Sequence, residues 1–222
     1  MLRPSLVALL LGLPGAAFAA PAQYALDPVH TRVLFAIEHA GFSKALGTVS
    51  GSTGTLVFDP DDWRSARLQA RLPLQRLDLG DEKWNRAALA HNLLDGEHYP
   101  EAQFVSTRVE PIDAQHAKVI GQLTLHGVTR EVTLDVTLNA VKRHPLPPFR
   151  RTAGFSATTT LQRADFGISA WPSVIGGTVE LRIEAEATRE GGAKAEPDPA
   201  PGTPPAAPTD TPTAPTAQDG TP

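Results

Sequence analysis

Few residues in this chain have the type and spacing to do chemistry. Of its seven histidines, His30 and His39 flank one short apolar stretch at an odd spacing, which sends their side chains to opposite faces of a strand. His91 and His98 stand around an irregular turn, and no His-x-His, His-Glu-x-x-His or cysteine companion supplies metal-site spacing. The histidines therefore read as partners of turn backbone or as solvated side chains, and no metal is expected. A nucleophilic serine needs a strand-to-helix elbow, whereas Ser50 and Ser52 sit inside a strand pattern, Val49-Ser50-Gly51-Ser52. Arg163 and Asp165 beside Gly167 read as a charge pair fastening a turn, with Phe166 as its plug. Arg163 is also a candidate for a head-group contact, because a guanidinium suits phosphate. No catalytic set emerges.

The elements that would position these residues are strands. Residues 119–138, VIGQLTLHGVTREVTLDVTL, alternate apolar and polar positions on both sides of Gly127. Period two over β-branched residues predicts a hairpin with one apolar wall. Residues 178–188 repeat the pattern most cleanly: Val179, Leu181, Ile183, Ala185 and Ala187 face inward, and Glu180, Arg182, Glu184 and Glu186 face out. Residues 32–39 are apolar on both faces, so something should cover their outside. Residues 46–58 read as one long strand coiling round a barrel at Gly47, Gly51 and Gly54. Further strands are expected over 65–72, 103–110 and 152–162, with an irregular proline loop at 143–151. Residues 81–91 break the rhythm: Asp81 can cap, and Trp84, Ala87 and Ala88 have helical spacing. This one helix would cover the outside of the first strand or lid one mouth. About eight antiparallel strands in up-and-down order predict an all-β closed barrel, with a two-sheet sandwich as the alternative.

The two ends read differently from this body. Residues 1–19 carry Arg3, an apolar run over 6–13 and small residues before Ala20, the layout of a cleaved secretory signal peptide that leaves no membrane anchor. Export without any cysteine requires a core large enough to need no disulfide, and residues 20–190 provide one. Residues 191–222 have no large apolar side chain and predict a disordered, proline-rich tail, solvated and without a specific partner, with a spacer or a wall-contacting arm as the alternative. The formal net charge is −4 with no basic run, which argues against a nucleic-acid partner. The sequence leaves open whether two copies pair as a homodimer.

The function then depends on what the inner wall faces. The side chains assigned to it are Phe35, Ile37 and Phe42 from the first strand and its turn, and Leu68 and Leu72 from the third. Leu123, Leu125, Leu134 and Val136 come from the hairpin, and Phe155, Ala157, Leu181 and Ile183 from the last two strands. Small inward residues (Ala66, Ala70, Ala153, Ala157, Thr159, Ala185 and Ala187) leave room for a ligand rather than a packed core. At about 0.8 kcal/mol per buried methylene, an apolar chain of modest length would bind there without a polar anchor.

Tyr24-x-Leu-Asp-Pro-x-His30-x-x-Val33-x-Phe35-x-Ile37-x-His39-x-Gly41, then Gly47, Gly121-x-Leu-Thr-x-x-Gly127-x-Thr-Arg130 and Arg163-x-Asp165-Phe166-Gly167 follow in order. Across residues 24–188 the chain thereby resembles the YceI-like family of exported bacterial proteins. The resemblance implies a lipocalin-like barrel and a polyisoprenoid ligand in its lumen, here an isoprenoid quinone or a polyprenyl phosphate. Where that family commonly has His-Leu and later Asp-Phe-Phe-Asp, this chain has Ala87-Ala88 and Asn92-Leu93-Leu94-Asp95. The expectation is a non-enzymatic periplasmic carrier with no covalent cofactor. The alternatives are an enzyme acting on an isoprenoid or quinone, with His39 or Asp165 as base, and a structural envelope protein.

Overall fold

A computed structural model describes residues 21–191. The signal peptide expected at 1–19 and the tail expected at 191–222 fall outside the described residues, apart from Gly191. The alternating segments form strands, and the strands form a ring. In chain order they are β1 (Ala22–Leu26), β2 (Arg32–His39), β3 (Ser43–Ser50), β4 (Thr53–Phe58), β5 (Arg67–Pro73), β6 (Leu77–Asp78), β7 (Glu101–Pro111), β8 (His116–Leu125), β9 (Val128–Arg143), β10 (Arg151–Gln162) and β11 (Ile175–Arg189). From β7 to β11 each strand pairs antiparallel with the next. The ring closes because β11 pairs along its first part with β2 and at its end with β1.

Eleven strands make eight staves. β1 and β2 are two halves of one stave, β3 and β4 of the next, and β5 and β6 of a third. The long strand expected over 46–58 is therefore broken. Gly51 takes φ +76°, a left-handed conformation that ends β3, and its N–H donates to Pro28 O at 3.2 Å. Pro28 belongs to the turn that breaks β1 from β2, so the two breaks are fastened at one level of the wall. The antiparallel barrel itself is as expected, and closure leaves no room for the sandwich alternative.

The hairpin of β8 and β9 turns on two residues. His126 and Gly127 have φ of +52° and +73°, which matches the right-handed twist of the flanking strands. Its register sets Val119 opposite Leu134 and Gly121 opposite Val132, on the inner wall. Gly47 answers a different need: a Cβ there would stand 2.3 Å from the ring of Phe35 on the neighbouring strand. That ring lies over the glycine and is directed into the barrel.

The helix α1 (Glu82–Ala88) is capped by Asp81, whose carboxylate accepts the N–H of Lys83 at 2.9 Å and of Trp84 at 3.1 Å. It does not cover the outside of β2, where Leu34 stays exposed. It lies instead across one mouth of the barrel. The opposite mouth is closed by a single turn, Trp63–Ser65, that carries Trp63 beneath the strands. There Phe58 meets Trp63 at 5.2 Å and Phe155 at 5.3 Å between ring centroids, both edge-on, and Ala153 and Ala187 are fully buried.

Candidate functional site

Between the two mouths the lumen holds space. An upper chamber of about 420 Å³ lies under α1, and a lower one of about 170 Å³ lies above the Phe58 cluster. Val33, Leu72, Leu123, Leu161 and Leu181 line both, so the chambers meet at a shared waist. Period-two alternation on β2, β5, β8, β10 and β11 places these side chains inward together, and no loop is needed to aim them.

The side chains assigned to the lumen divide between the chambers. Phe35, Ile37 and Leu125 line the upper one, and Leu68, Leu134, Val136, Phe155, Ala157 and Ile183 the lower. Leu72, Leu123 and Leu181 belong to both. Phe42 does not belong: it sits on the turn between β2 and β3, 92% exposed, and lines neither chamber. Strand alternation had already ended at Ala40, whose φ of +53° turns the chain, so inward placement could not be carried across it.

The origin of the space also differs from expectation. Ala66, Ala70, Ala157, Thr159 and Ala185 do line the lower chamber, but that is the smaller one. Most of the room is made at the upper mouth, where connecting segments stand away from the strand ends. Trp84, Ala87 and Ala88 of α1, Leu93 and Leu94 beyond it, and Phe166, Ile168, Trp171 and Val174 between β10 and β11 form this vault. The sequence reading gave none of the last four as ligand contacts. Phe166 reads from sequence as the plug of its turn; the signal for Ile168, Trp171 and Val174 was a density of apolar side chains in a stretch with no strand period.

Arg163 is at the mouth, 6% exposed and on the wall of the upper chamber. It does not pair with Asp165. Its Nε donates to Gly176 O at 2.8 Å, Nη1 to Ile168 O at 3.0 Å and Nη2 to Ile175 O at 2.9 Å. The guanidinium thus pins the segment 163–176 as a loop over the chamber, with Phe166 buried as the plug. Burial draws its pKa below the usual arginine value. A guanidinium has five N–H groups, so two are left beyond these three bonds. No carboxylate pairs with it among the described residues.

The proposed bases fare differently from each other. His39 lines the upper chamber with its ring against Trp84, centroids 5.2 Å apart. Asp165 is exposed and lines neither chamber, so it cannot meet a ligand there. Glu38, His39 and Arg163 are the only charged or titratable side chains on the upper wall among the described residues, and the lower wall adds Arg67. The histidines outside the lumen are not simply solvated. His30 Nδ1 bonds Asp27 at 2.8 Å, His126 Nδ1 donates to Phe166 O at 3.1 Å, and His91 and His98 both face Asp95. His126 also packs its ring on Tyr99, 4.9 Å away, which ties the hairpin tip to the segment following α1.

Comparison with known proteins agrees with this geometry. The YceI-like domain family matches residues 24–187. A UPF0312 protein of Pseudomonas savastanoi pv. phaseolicola is 36% identical over 194 residues, covering 86% of this chain and all of the relative. Among solved structures, BcnA of Burkholderia cenocepacia superposes with a TM-score of 0.66 at 23% identity, over 73% of this chain and 99% of that one. A polyisoprenoid binding domain from Saccharophagus degradans superposes with a TM-score of 0.54 at 16% identity, over 77% of this chain and 99% of that one. At those identities the two structures speak for the fold.

Proposed function

This chain belongs to the YceI-like family, and from that premise we propose that it is an exported carrier that holds a long isoprenoid lipid in its lumen. The observation that carries the reading is the pair of apolar chambers joined at a waist and entered beneath α1. A flexible chain placed there buries methylenes along the whole path, at about 0.8 kcal/mol each. The Saccharophagus degradans domain of the same fold, described as polyisoprenoid binding, supports the ligand class.

The geometry favours one orientation. The lower end is shut by Phe58, Trp63 and Phe155, so the apolar tail points down and the head group stays at the upper mouth. There the two remaining N–H groups of Arg163 offer a polar contact, suited to a phosphate or a quinone oxygen. The same wall supports binding rather than catalysis. The His39 ring lies tilted against Trp84, Arg163 donates to three loop carbonyls, and Glu38 is the one carboxylate on that wall among the described residues. The layout of residues 1–19 supports a periplasmic address.

The test is to purify the full chain from its own cell envelope, record its native mass, and extract the bound material for lipid mass spectrometry. The expected result is an isoprenoid in near-stoichiometric amount. Protein recovered empty, or carrying only straight-chain acyl lipids, would overturn the assignment.

A further inference from the structure

Three aspartates hold imidazoles among the described residues, and one is built unlike the others. Asp27 accepts the N–H groups of Val29 at 2.8 Å and His30 at 3.2 Å as well as His30 Nδ1. Asp113 likewise accepts the N–H groups of Gln115 at 2.8 Å and His116 at 2.9 Å beside His116 Nδ1. Both are turn carboxylates occupied by backbone donors, with an imidazole added. Asp95 accepts no backbone N–H on its carboxylate. Its Oδ2 meets His91 Nδ1 at 2.9 Å and its Oδ1 meets His98 Nδ1 at 2.9 Å.

Burial sharpens the difference. The Asp95 side chain is 6% exposed, whereas those of His91 and His98 are 86% and 66% exposed. Two rings otherwise in solvent are thus turned onto one buried carboxylate, and the ligating atoms of all three residues lie within 4.8 Å of one another. We propose that His91 Nδ1, His98 Nδ1 and the Asp95 carboxylate form a binding site for a divalent transition-metal ion of the zinc type.

The chemistry of the donors selects the class. Two imidazole nitrogens and one carboxylate oxygen suit Zn²⁺ and its neighbours, while Mg²⁺ and Ca²⁺ prefer oxygen alone. Ligands at about 2.0–2.2 Å from a tetrahedral ion stand roughly 3.3 Å from each other. The two 2.9 Å contacts would open by a few tenths of an ångström and the longer separations, all within 4.8 Å, would close, a movement that the two exposed rings can make. Binding would release whichever protons the two Nδ1 atoms carry and leave a fourth position for water. Leu93 and Leu94, which line the upper chamber, lie in sequence between the ligands. The ion would cross-link the start and end of the segment that forms one side of the mouth, whatever the chamber holds.

The experiment is a titration of the full-length protein with Zn²⁺ by calorimetry and with Co²⁺ by visible absorption. The variants are His91→Asn, His98→Asn and the double change. Asparagine places its Nδ2 near the position of imidazole Nδ1, so it keeps the hydrogen bond to Asp95 while removing the ligand. The parent should bind one ion per chain, develop the absorption of four-coordinate Co²⁺, and gain thermal stability that a chelator reverses. The double variant should match the parent's metal-free melting temperature and lose affinity by more than roughly tenfold, since loss of a group merely hydrogen-bonded to a metal ligand already weakens a site on that scale. Absence of saturable one-to-one binding by the parent, or equal affinity in the double variant, would overturn the site. A single variant losing no affinity would remove that histidine from it.

Discussion

The two mouths of this barrel are made from similar side chains put to opposite uses. At the lower end Phe58, Trp63 and Phe155 pack edge-on against one another, Phe58 and Trp63 being buried. At the upper end Trp84 and Trp171 are about half exposed and stand around a chamber rather than filling one. The lower aromatics are brought together by strand ends and one tight turn. The upper ones come from a seven-residue helix with no buried residue and from a loop held by Arg163. Packing density therefore falls from bottom to top, and with it the local cost of opening. The gradient leaves one end tightly closed and the other loosely packed, the end at which the proposed ligand would exchange.

Breaking the lower end should have the largest effect. Phe58→Ala removes a ring buried against two others, and large-to-small aromatic changes in cores cost about 3–5 kcal/mol. Urea denaturation should show a loss of that size with little change in slope. A loss under about 1 kcal/mol would mean that the lower cluster does not close the barrel.

The same kind of truncation at the upper end should hardly touch stability. Trp84 is 44% exposed and its ring meets His39 at the chamber wall, so Trp84→Ala should cost no more than about 1 kcal/mol. Its effect belongs in kinetics: with the lid lightened, stopped-flow displacement of a bound fluorescent isoprenoid should speed up relative to the parent. Unchanged exchange would place the route elsewhere than beneath α1.

The smallest effect is expected midway, where the wall is broken at the turn after β1. The hydrogen bond that His30 donates to the Asp27 carboxylate raises the pKa of His30 above its ordinary 6.5. Burial pushes Asp27 upward, but the His30 ring and the N–H groups of Val29 and His30 outweigh it and leave the carboxyl below its ordinary 3.8. The His30 contribution is full below pH 6.5 and is lost as pH rises through the raised value. That of Asp27 is full above pH 3.8 and is lost as pH falls through the lowered one. The pair thus supports the fold most between about pH 4 and 6.5, and its exposure keeps the contribution within about 0.2–1 kcal/mol. Stability curves of the parent and His30→Gln should converge above neutral pH and separate within that window.

What could be read from the chain in advance follows the same division. Where side chains alternate along a strand, face is fixed by position, so Leu68, Leu134, Ile183 and their neighbours could be placed in the lumen before any geometry was known. Phe42 escaped because it lies beyond the last alternating residue, on a turn whose direction local sequence does not set. The break at Gly51 escaped because a glycine at positive φ and a glycine under a neighbouring ring, such as Gly47, look alike in a sequence. The vault from Phe166 to Val174 had no period to read. Arg163 was legible as important and not as a clamp, since its acceptors are carbonyls up to 13 residues away. His91 and His98 share Asp95 only because an irregular turn folds back on itself, and spacing alone cannot show that.

The most direct test of the account is the native mass spectrum of the parent and of Ala157→Phe, each incubated with isoprenoids of graded chain length. Ala157 faces the lower chamber of about 170 Å³, midway along β10. A ring placed there should occupy space that the ligand tail needs. Overpacking a filled core costs about 1–3 kcal/mol, so the metal-free, lipid-free stability of both proteins is measured beside the spectra. The account predicts that the variant stays within about 1 kcal/mol of the parent and shifts its preference to shorter chains or loses the longest. A parent that takes up no isoprenoid, with a variant that is strongly destabilised, would contradict it and leave a barrel packed with its own side chains.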